Sequence, residues 1–241
     1  MALGPAIYLI PHQDDEPLTF GGDIQVHLSA GREVIVVLYT SGENSGLRDI
    51  INGLTPSNFW GGTHNPTVEG YPLLSDQDLI NYRTHEFISS CGAMGIKPAN
   101  VHIRVIPSEE LDTDGKGALR SLLLEYHLLY PNASFKVFSW KDTHPHHSYV
   151  GHALLDLYDE GVITDARFFV SRYHHNSGWI SVKTRTLTSE ETKQIERSAM
   201  CYRAWNPASN SFALGYHSVS QQFANLLADP RSRIHLATDN R

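Results

Sequence analysis

Cysteine is scarce in this 241-residue chain, with Cys91 and Cys201 the only two. A disulfide-stapled scaffold is therefore excluded, since at most one bridge is available. Cys91 sits inside an apolar helical pattern, where a free thiol packs as a small hydrophobe. Basic residues are also in deficit: 19 Lys and Arg against 26 Asp and Glu give a formal charge of −7, which opposes a nucleic-acid backbone. No apolar run approaches the roughly 18 to 20 residues that cross a bilayer, so no membrane span is expected. A basic stretch leading into a hydrophobic one is missing too, which points to the cytoplasm by default, with an exported protein that has lost its signal as the alternative. What remains, 41% hydrophobic and 19% charged residues, suits one folded domain with a single core. The feature in excess is histidine, with 14 residues, several clustered with carboxylates in two short segments.

The run Ala6-Ile7-Tyr8-Leu9-Ile10 is short and continuously apolar, as a strand buried on both faces should be. Leu18, Ile24 and Leu28 then mark one side of a helix ending near Gly31, and Val34 to Tyr39 form a second buried strand. This β-α-β start predicts a parallel sheet. Residues 40–75 are rich in Gly, Asn, Thr and Pro and read as a long loop of the kind that walls a binding site. Ser75 and Asp78 resemble a capping box that opens a helix through Leu79, Phe87 and Cys91 to Gly95. Alternation continues with a strand at 101–106, a helix at 118–130, a strand at 135–140, a helix at 147–160 and a strand at 167–173. A polar helix near 189–202 and an amphipathic one near 219–227 follow. The expectation is a single α/β domain over 1–241: a Rossmann-like, open, mostly parallel sheet of about five strands with helices on both faces. It comprises a core over 1–175 and a C-terminal elaboration over 176–241.

Chemistry concentrates after two of those strands. Pro11-His12-Gln13-Asp14-Asp15-Glu16 follows the first, and Asp142-Thr143-His144-Pro145-His146-His147 follows the strand ending at Trp140. Loops at the carboxyl ends of parallel strands share one edge of the sheet, which is where open α/β sheets bind ligands. Two histidines and an aspartate with one position left open suit a catalytic zinc site, and another divalent transition metal would also fit. Adjacent aspartates point different ways, so one can hold the metal while its neighbour faces the water as a general base. The implied chemistry is hydrolysis of an amide or ester.

These residues resemble the LmbE-like, or PIG-L, zinc-dependent de-N-acetylases, through His12-Gln13-Asp14-Asp15-Glu16 and His144-x-x-His147-x-x-Val150-Gly151. Arg83-x-x-Glu86 followed by Ala93-Met94-Gly95-Ile96 is similar to a third family motif, and the likeness runs from about Ala6 to Tyr173. The resemblance implies that His12, Asp15 and His147 bind zinc, that Asp14 is the general base, and that His144 is an acid or oxyanion stabiliser. It places Arg83 on the substrate side. Two positions depart from the family pattern: Gln13 stands where proline is common, and His146 stands where an aspartate that could orient His144 is usual. Asp142 is a candidate substitute.

Four groups of residues carry alternatives. Arg83 and Glu86 are one helical turn apart and could simply pair with each other. His174 and His175 are rim candidates. Phe59, Trp60 and Tyr71 either stack on sugar rings or pin the long loop to its own domain. Glu43 and Asp112 are candidate acceptors for sugar hydroxyls. The expected function is zinc-dependent removal of an N-acetyl group from an N-acetylglucosamine-type sugar or conjugate, with a small-molecule sugar as the binding partner. The alternatives are a metal-dependent amide hydrolase acting on another acylated molecule, such as a mycothiol or bacillithiol precursor, an aminoglycoside, a glycopeptide antibiotic or a chitin fragment, and a non-catalytic carbohydrate-binding protein.

Overall fold

The structure, a computed structural model, describes residues 3–43, 45–175, 178–179 and 183–239. The first half of the chain gives β1 (Ala6–Ile10), α1 (Gly21–Ser29), β2 (Val34–Leu38), α2 (Leu47–Ile51), α3 (Pro66–Glu69), α4 (Asp76–Ala93) and β3 (Val101–Ile103). The second half gives α5 (Ser108–Leu129), β4 (Ser134–Phe138), α6 (Pro145–Asp159), β5 (Ala166–Phe169), α7 (Ser189–Cys201), the short pair β6 (Trp205–Asn206) and β7 (Ser211–Phe212), α8 (Leu214–Ala228) and β8 (Ile234–His235). Six strands make one sheet in the order β3-β2-β1-β4-β5-β8. The first five are parallel, and β8 closes the edge antiparallel to β5.

The central strands are buried along their whole length because their alternate side chains feed two different cores. Ile7, Leu9, Ile35 and Val37 pack against α5 and α6 through Leu119, Leu123, Leu154 and Leu157. Tyr8, Ile10, Val36 and Leu38 face the other way onto Phe20, Ile24, Phe87 and Cys91, carried by α1, α4 and the turn before α1. Helices thus cover both faces, as the unbroken apolar runs require.

The order of the strands decides where a ligand can sit. The chain builds outward from β1 through β2 to β3, then crosses back to lay β4 on the other side of β1. The loops leaving β1 and β4 therefore diverge over opposite faces and leave a crevice between them, the switch point at which such sheets bind ligands. Both histidine-rich segments open there.

Several boundaries differ from the sequence expectation. The strand read to Ile106 stops at Ile103, and α5 starts at Ser108, ten residues earlier than its apolar pattern, with non-helical backbone at Asp114. The sheet has six strands because a two-residue strand from the C-terminal region pairs with β5, too short to show a period. Residues 40–75 are not featureless: they contain α2, α3 and an antiparallel bridge between Ser57 and Gly62. The capping box at Ser75 and Asp78 is present as read.

Candidate active site and metal centre

β1 delivers His12 to the crevice, and the next residues are shaped by an unusual backbone. Asp14 has φ of 111°, a conformation that costs a non-glycine residue about 1–3 kcal/mol and persists only where its surroundings impose it. Here Asp14 N–H donates to Glu16 Oε2 at 3.2 Å, and Asp14 O accepts from Leu18 N at 3.2 Å. The following turn, Glu16–Phe20, is π-helical, a form that recurs at functional sites. Its Glu16 is fully buried and accepts from Ser90 Oγ and Tyr202 Oη, both at 2.6 Å. The motif is thereby tied to α4 and to the end of α7.

His147 arrives on the first turn of α6, held close to the end of β4 by a glycine one turn on. A Cβ at Gly151 would lie 2.4 Å from the Trp140 nitrogen and 2.7 Å from the Ser139 carbonyl carbon. No side chain fits there without moving the helix. The His147 ring also stacks on Phe138, with centroids 3.8 Å apart.

Three donor atoms converge. His12 Nδ1 lies 3.1 Å from Asp15 Oδ2, His147 Nε2 lies 3.4 Å from the same oxygen, and the two nitrogens are 3.3 Å apart. Ligands at about 2.0–2.1 Å from a tetrahedral zinc sit ~3.3 Å from one another, so the spacing fits such an ion. Behind His147, Asp142 Oδ2 stands 3.3 Å from Nδ1, the carboxylate partner that orients a metal-binding imidazole. Asp142 Oδ1 accepts the His144 backbone N–H at 2.9 Å. Asp142 therefore supports the His147 ring and not the His144 ring for which it was a candidate. A second triple, His12, His144 and His146, also lies within reach of one ion, but it brings no negative charge and is less buried. His146 Nδ1 is 3.1 Å from His12 Nε2, on the side of that ring facing away from Asp15.

Charges in the site are strongly coupled. Burial raises the Asp15 carboxyl, but the His147 cation and hydrogen bonds from His12 and His147 hold it well below the ordinary carboxylate range. Burial lowers the His147 imidazole, while Asp15 and Asp142 outweigh that and push it up to about 9. Burial, then the neighbouring Asp15 charge, drive Asp14 well above its usual value despite the Arg83 guanidinium. His144 falls to about 4 through burial and the nearby His147 and His146.

The crevice is a cavity of about 310 Å³, within the size range of small-molecule sites. His12, Asp14, Asp15, Arg83, His144 and His147 all line it, so the six residues that the family resemblance singled out reach one space. Arg83 is only 5% exposed: Nη1 donates to Gly42 O at 2.8 Å, Nη2 to Gln13 O at 3.2 Å, and Nη2 lies 3.8 Å from Asp14 Oδ2. Glu86 turns away and accepts from Leu214 N and Gly215 N at 2.8 and 3.2 Å. The two residues serve different contacts and do not form an intrahelical bridge.

Other candidates divide. Glu43 lines the cavity and Asp112 does not. His174 and His175 are in a 3-10 turn and its cap, where β5 has already ended, and Tyr173 lines the cavity in their place. Phe59, Trp60 and Tyr71 pin the loop: Phe59 lies against Tyr216, Trp60 against Trp205, and Tyr71 against Phe212. Ser218 and Val219 of α8 were missed, although Val219 has non-helical φ/ψ inside an amphipathic pattern. No motif marks them, because they reach the cavity only through packing of the C-terminal region.

The family described as GlcNAc-PI de-N-acetylase, PIG-L, matches residues 7–158. Among solved structures, the A40926 pseudoaglycone deacetylase Dbv21 is similar at 14% identity with a TM-score of 0.66, over 97% of this chain and 96% of its own. The N,N'-diacetylchitobiose deacetylase of Pyrococcus horikoshii is similar at 15% identity and 0.52, over 98% and 85%. So is the 4-carboxy-2-hydroxymuconate hydratase of Pseudomonas putida KT2440, at 12% and 0.52, over 96% and 94%. No curated protein matches the chain by sequence. At such identities the structures share a fold, and a fold by itself carries no reaction.

Proposed function

Because the chain belongs to the PIG-L family, we propose that it is a zinc-dependent hydrolase that removes an N-acetyl group from an N-acetylglucosamine-type sugar or conjugate. The observation that carries this reading is the set of three donors at tetrahedral spacing with a second carboxylate, Asp14, beside them on the same cavity wall. Deacetylases among the structural neighbours support the reaction class.

His12, Asp15 and His147 would hold the ion, whose chemistry is to acidify a water and polarise the amide carbonyl. Asp14 takes the proton from the attacking water as its oxygen bonds to the carbonyl carbon. Burial and the Asp15 charge make its carboxylate a stronger proton acceptor than a free one. His144 is held neutral and offers a ring N–H to the oxygen that gains charge, the oxyanion role. When the carbon–nitrogen bond breaks, the proton on Asp14 passes to the leaving nitrogen, giving acetate and a free amine. Arg83 supports Asp14 and the loop wall, and through that wall the substrate side. Because α8 contributes Ser218 and Val219 to the same cavity, we read the whole chain as one functional unit.

The test is acetate release from N-acetylglucosamine mono- and disaccharides by protein stripped of metal and then reloaded with zinc. Release that appears only on reloading is expected. Equal release from stripped protein would remove the metal from the reading, and none from protein with zinc verified bound would overturn the reaction.

A further inference from the structure

A neutral imidazole that binds a metal through one nitrogen carries its proton on the other, and the acceptor of that proton fixes the ring. For His147 the partner is Asp142, 3.3 Å from Nδ1. His12 turns its Nδ1 towards Asp15 and His147. With an ion there, its proton sits on Nε2 and needs an acceptor of its own. The atom facing Nε2 is His146 Nδ1, at 3.1 Å.

The fold sets His146 in that place. Pro145 opens α6, and His146 and His147 follow on its first turn. The His146 carbonyl accepts from Tyr39 Oη at 3.0 Å, and Tyr39 is fully buried directly after β2. Consecutive residues of one turn therefore address the two nitrogens of His12, His147 on the metal side and His146 on the far side. The His146 ring meets that of His144 edge-on, with centroids 5.2 Å apart. The position where the family pattern has an aspartate for His144 thus turns its ring nitrogen to His12.

Hydrogen bookkeeping also bears on the second triple, His12, His144 and His146, which lies within reach of one ion. An ion there would need the Nε2 lone pair of His12, and that nitrogen holds the proton once Nδ1 faces the first ion. His146 Nδ1 is then the bare acceptor, with the His146 proton on its own Nε2.

We propose that His146 is a positioning residue, which accepts the Nε2–H of His12 and so keeps the Nδ1 lone pair aimed at the ion held with Asp15 and His147. This rests on the metal-centre reading above. Being neutral, His146 fixes its ring without adding charge, whereas Asp142 brings a carboxylate behind His147.

The experiment measures zinc affinity by competition with a chromophoric chelator for the unaltered chain, His146→Phe and His146→Asn. Phenylalanine keeps a ring and removes the acceptor; asparagine puts a carbonyl oxygen close to where Nδ1 was. His146→Phe should bind zinc about 10–100-fold more weakly, and His146→Asn should stay close to the unaltered protein. With cobalt in place of zinc, the visible absorption bands should shift in His146→Phe and hold in His146→Asn. Thermal midpoints of the metal-free proteins should agree, which separates this role from packing. His146→Ala takes the place of His146→Phe if that variant fails to fold. Zinc held by His146→Phe as tightly as by the unaltered protein overturns the inference, and so does His146→Asn binding as weakly as His146→Phe. A second zinc per chain that disappears with His146→Phe also overturns it, because His146 is then itself a ligand. An unaltered protein that takes up no zinc overturns the metal centre and this inference with it.

Discussion

Two walls of the same cavity are built by opposite means. The metal-side wall comes from two contiguous motifs at the ends of adjacent strands, and the sheet brings them together whatever the rest of the chain does. The far wall is assembled from residues 40–75 and 205–228, more than a hundred residues apart, and is held by a buried aromatic and histidine cluster. There, His64 stacks on Trp205 at 4.6 Å, and Trp60 packs at a tilt against Trp205 at 4.7 Å. A polar chain threads the stack: Ser57 Oγ lies 2.6 Å from His217 Nδ1, His217 Nε2 lies 3.3 Å from His64 Nε2, and His64 Nδ1 lies 2.9 Å from Glu69 Oε2. One proton per link satisfies every contact, with Ser57 donating to His217, His217 to His64 and His64 to Glu69. Histidine near carboxylate thus lines a cavity on one wall and is packed into architecture on the other. What separates them is access: His12 and His147 face the cavity, whereas His64 and His217 are closed in by Phe59, Trp60 and Trp205.

That contrast breaks first at Asp14. Asp14→Asn keeps a residue type that tolerates positive φ and leaves His12, Asp15 and His147 untouched. The expected loss is about 10²–10⁴ in kcat, with zinc content by elemental analysis unchanged; activity near that of the unaltered protein would exclude Asp14 as base. Trp205→Ala attacks the other wall. It should lower stability by about 3 kcal/mol and raise KM by loosening the loop, while metal affinity stays the same. Loss of metal in that variant would show the walls to be one unit.

The narrowest effect, confined to one interval of pH, lies at Glu86, which joins α4 to the start of α8. Burial raises its carboxyl to about 8 despite the Leu214 and Gly215 N–H donors and Arg83. The folded protein then holds a proton there that the unfolded chain releases near its ordinary value. Stability from this group is complete below about pH 4 and declines as pH rises to about 8, then levels off. Glu86→Gln should flatten that decline in urea melts taken across the interval. An unchanged slope would assign the decline to other groups.

The site was legible where its residues are contiguous and follow a recognisable strand. Ala6 to Ile10 announces β1 by composition alone, and His12 to Asp15 inherit their place from it. The role of Asp142 was not legible, since an aspartate two residues before His144 reads as a partner for that ring, while the turn of α6 presents it to His147 instead. Tyr173 escaped because β5 ends four residues earlier than its apolar run suggested, and the following turn points a different side chain inward. Ser218 and Val219 carry no signal at all. Only the docking of Glu86 onto the first turn of α8, and the packing of Tyr202 and Tyr216 beneath it, bring them to the cavity.

By itself the sequence determined the alternation of strands and helices, the two-faced burial of the sheet and the family, because periodicity and contiguous motifs are local properties of a chain. Tertiary structure decided that β4 lies beside β1, so that His12 and His147 share an ion-sized space. It also decided that Arg83 is consumed by Asp14 and backbone carbonyls, and which wall faces the ligand. Those outcomes depend on contacts between residues 70 to more than 130 positions apart, and no local pattern encodes the distance between two side chains that the chain must first fold to bring together.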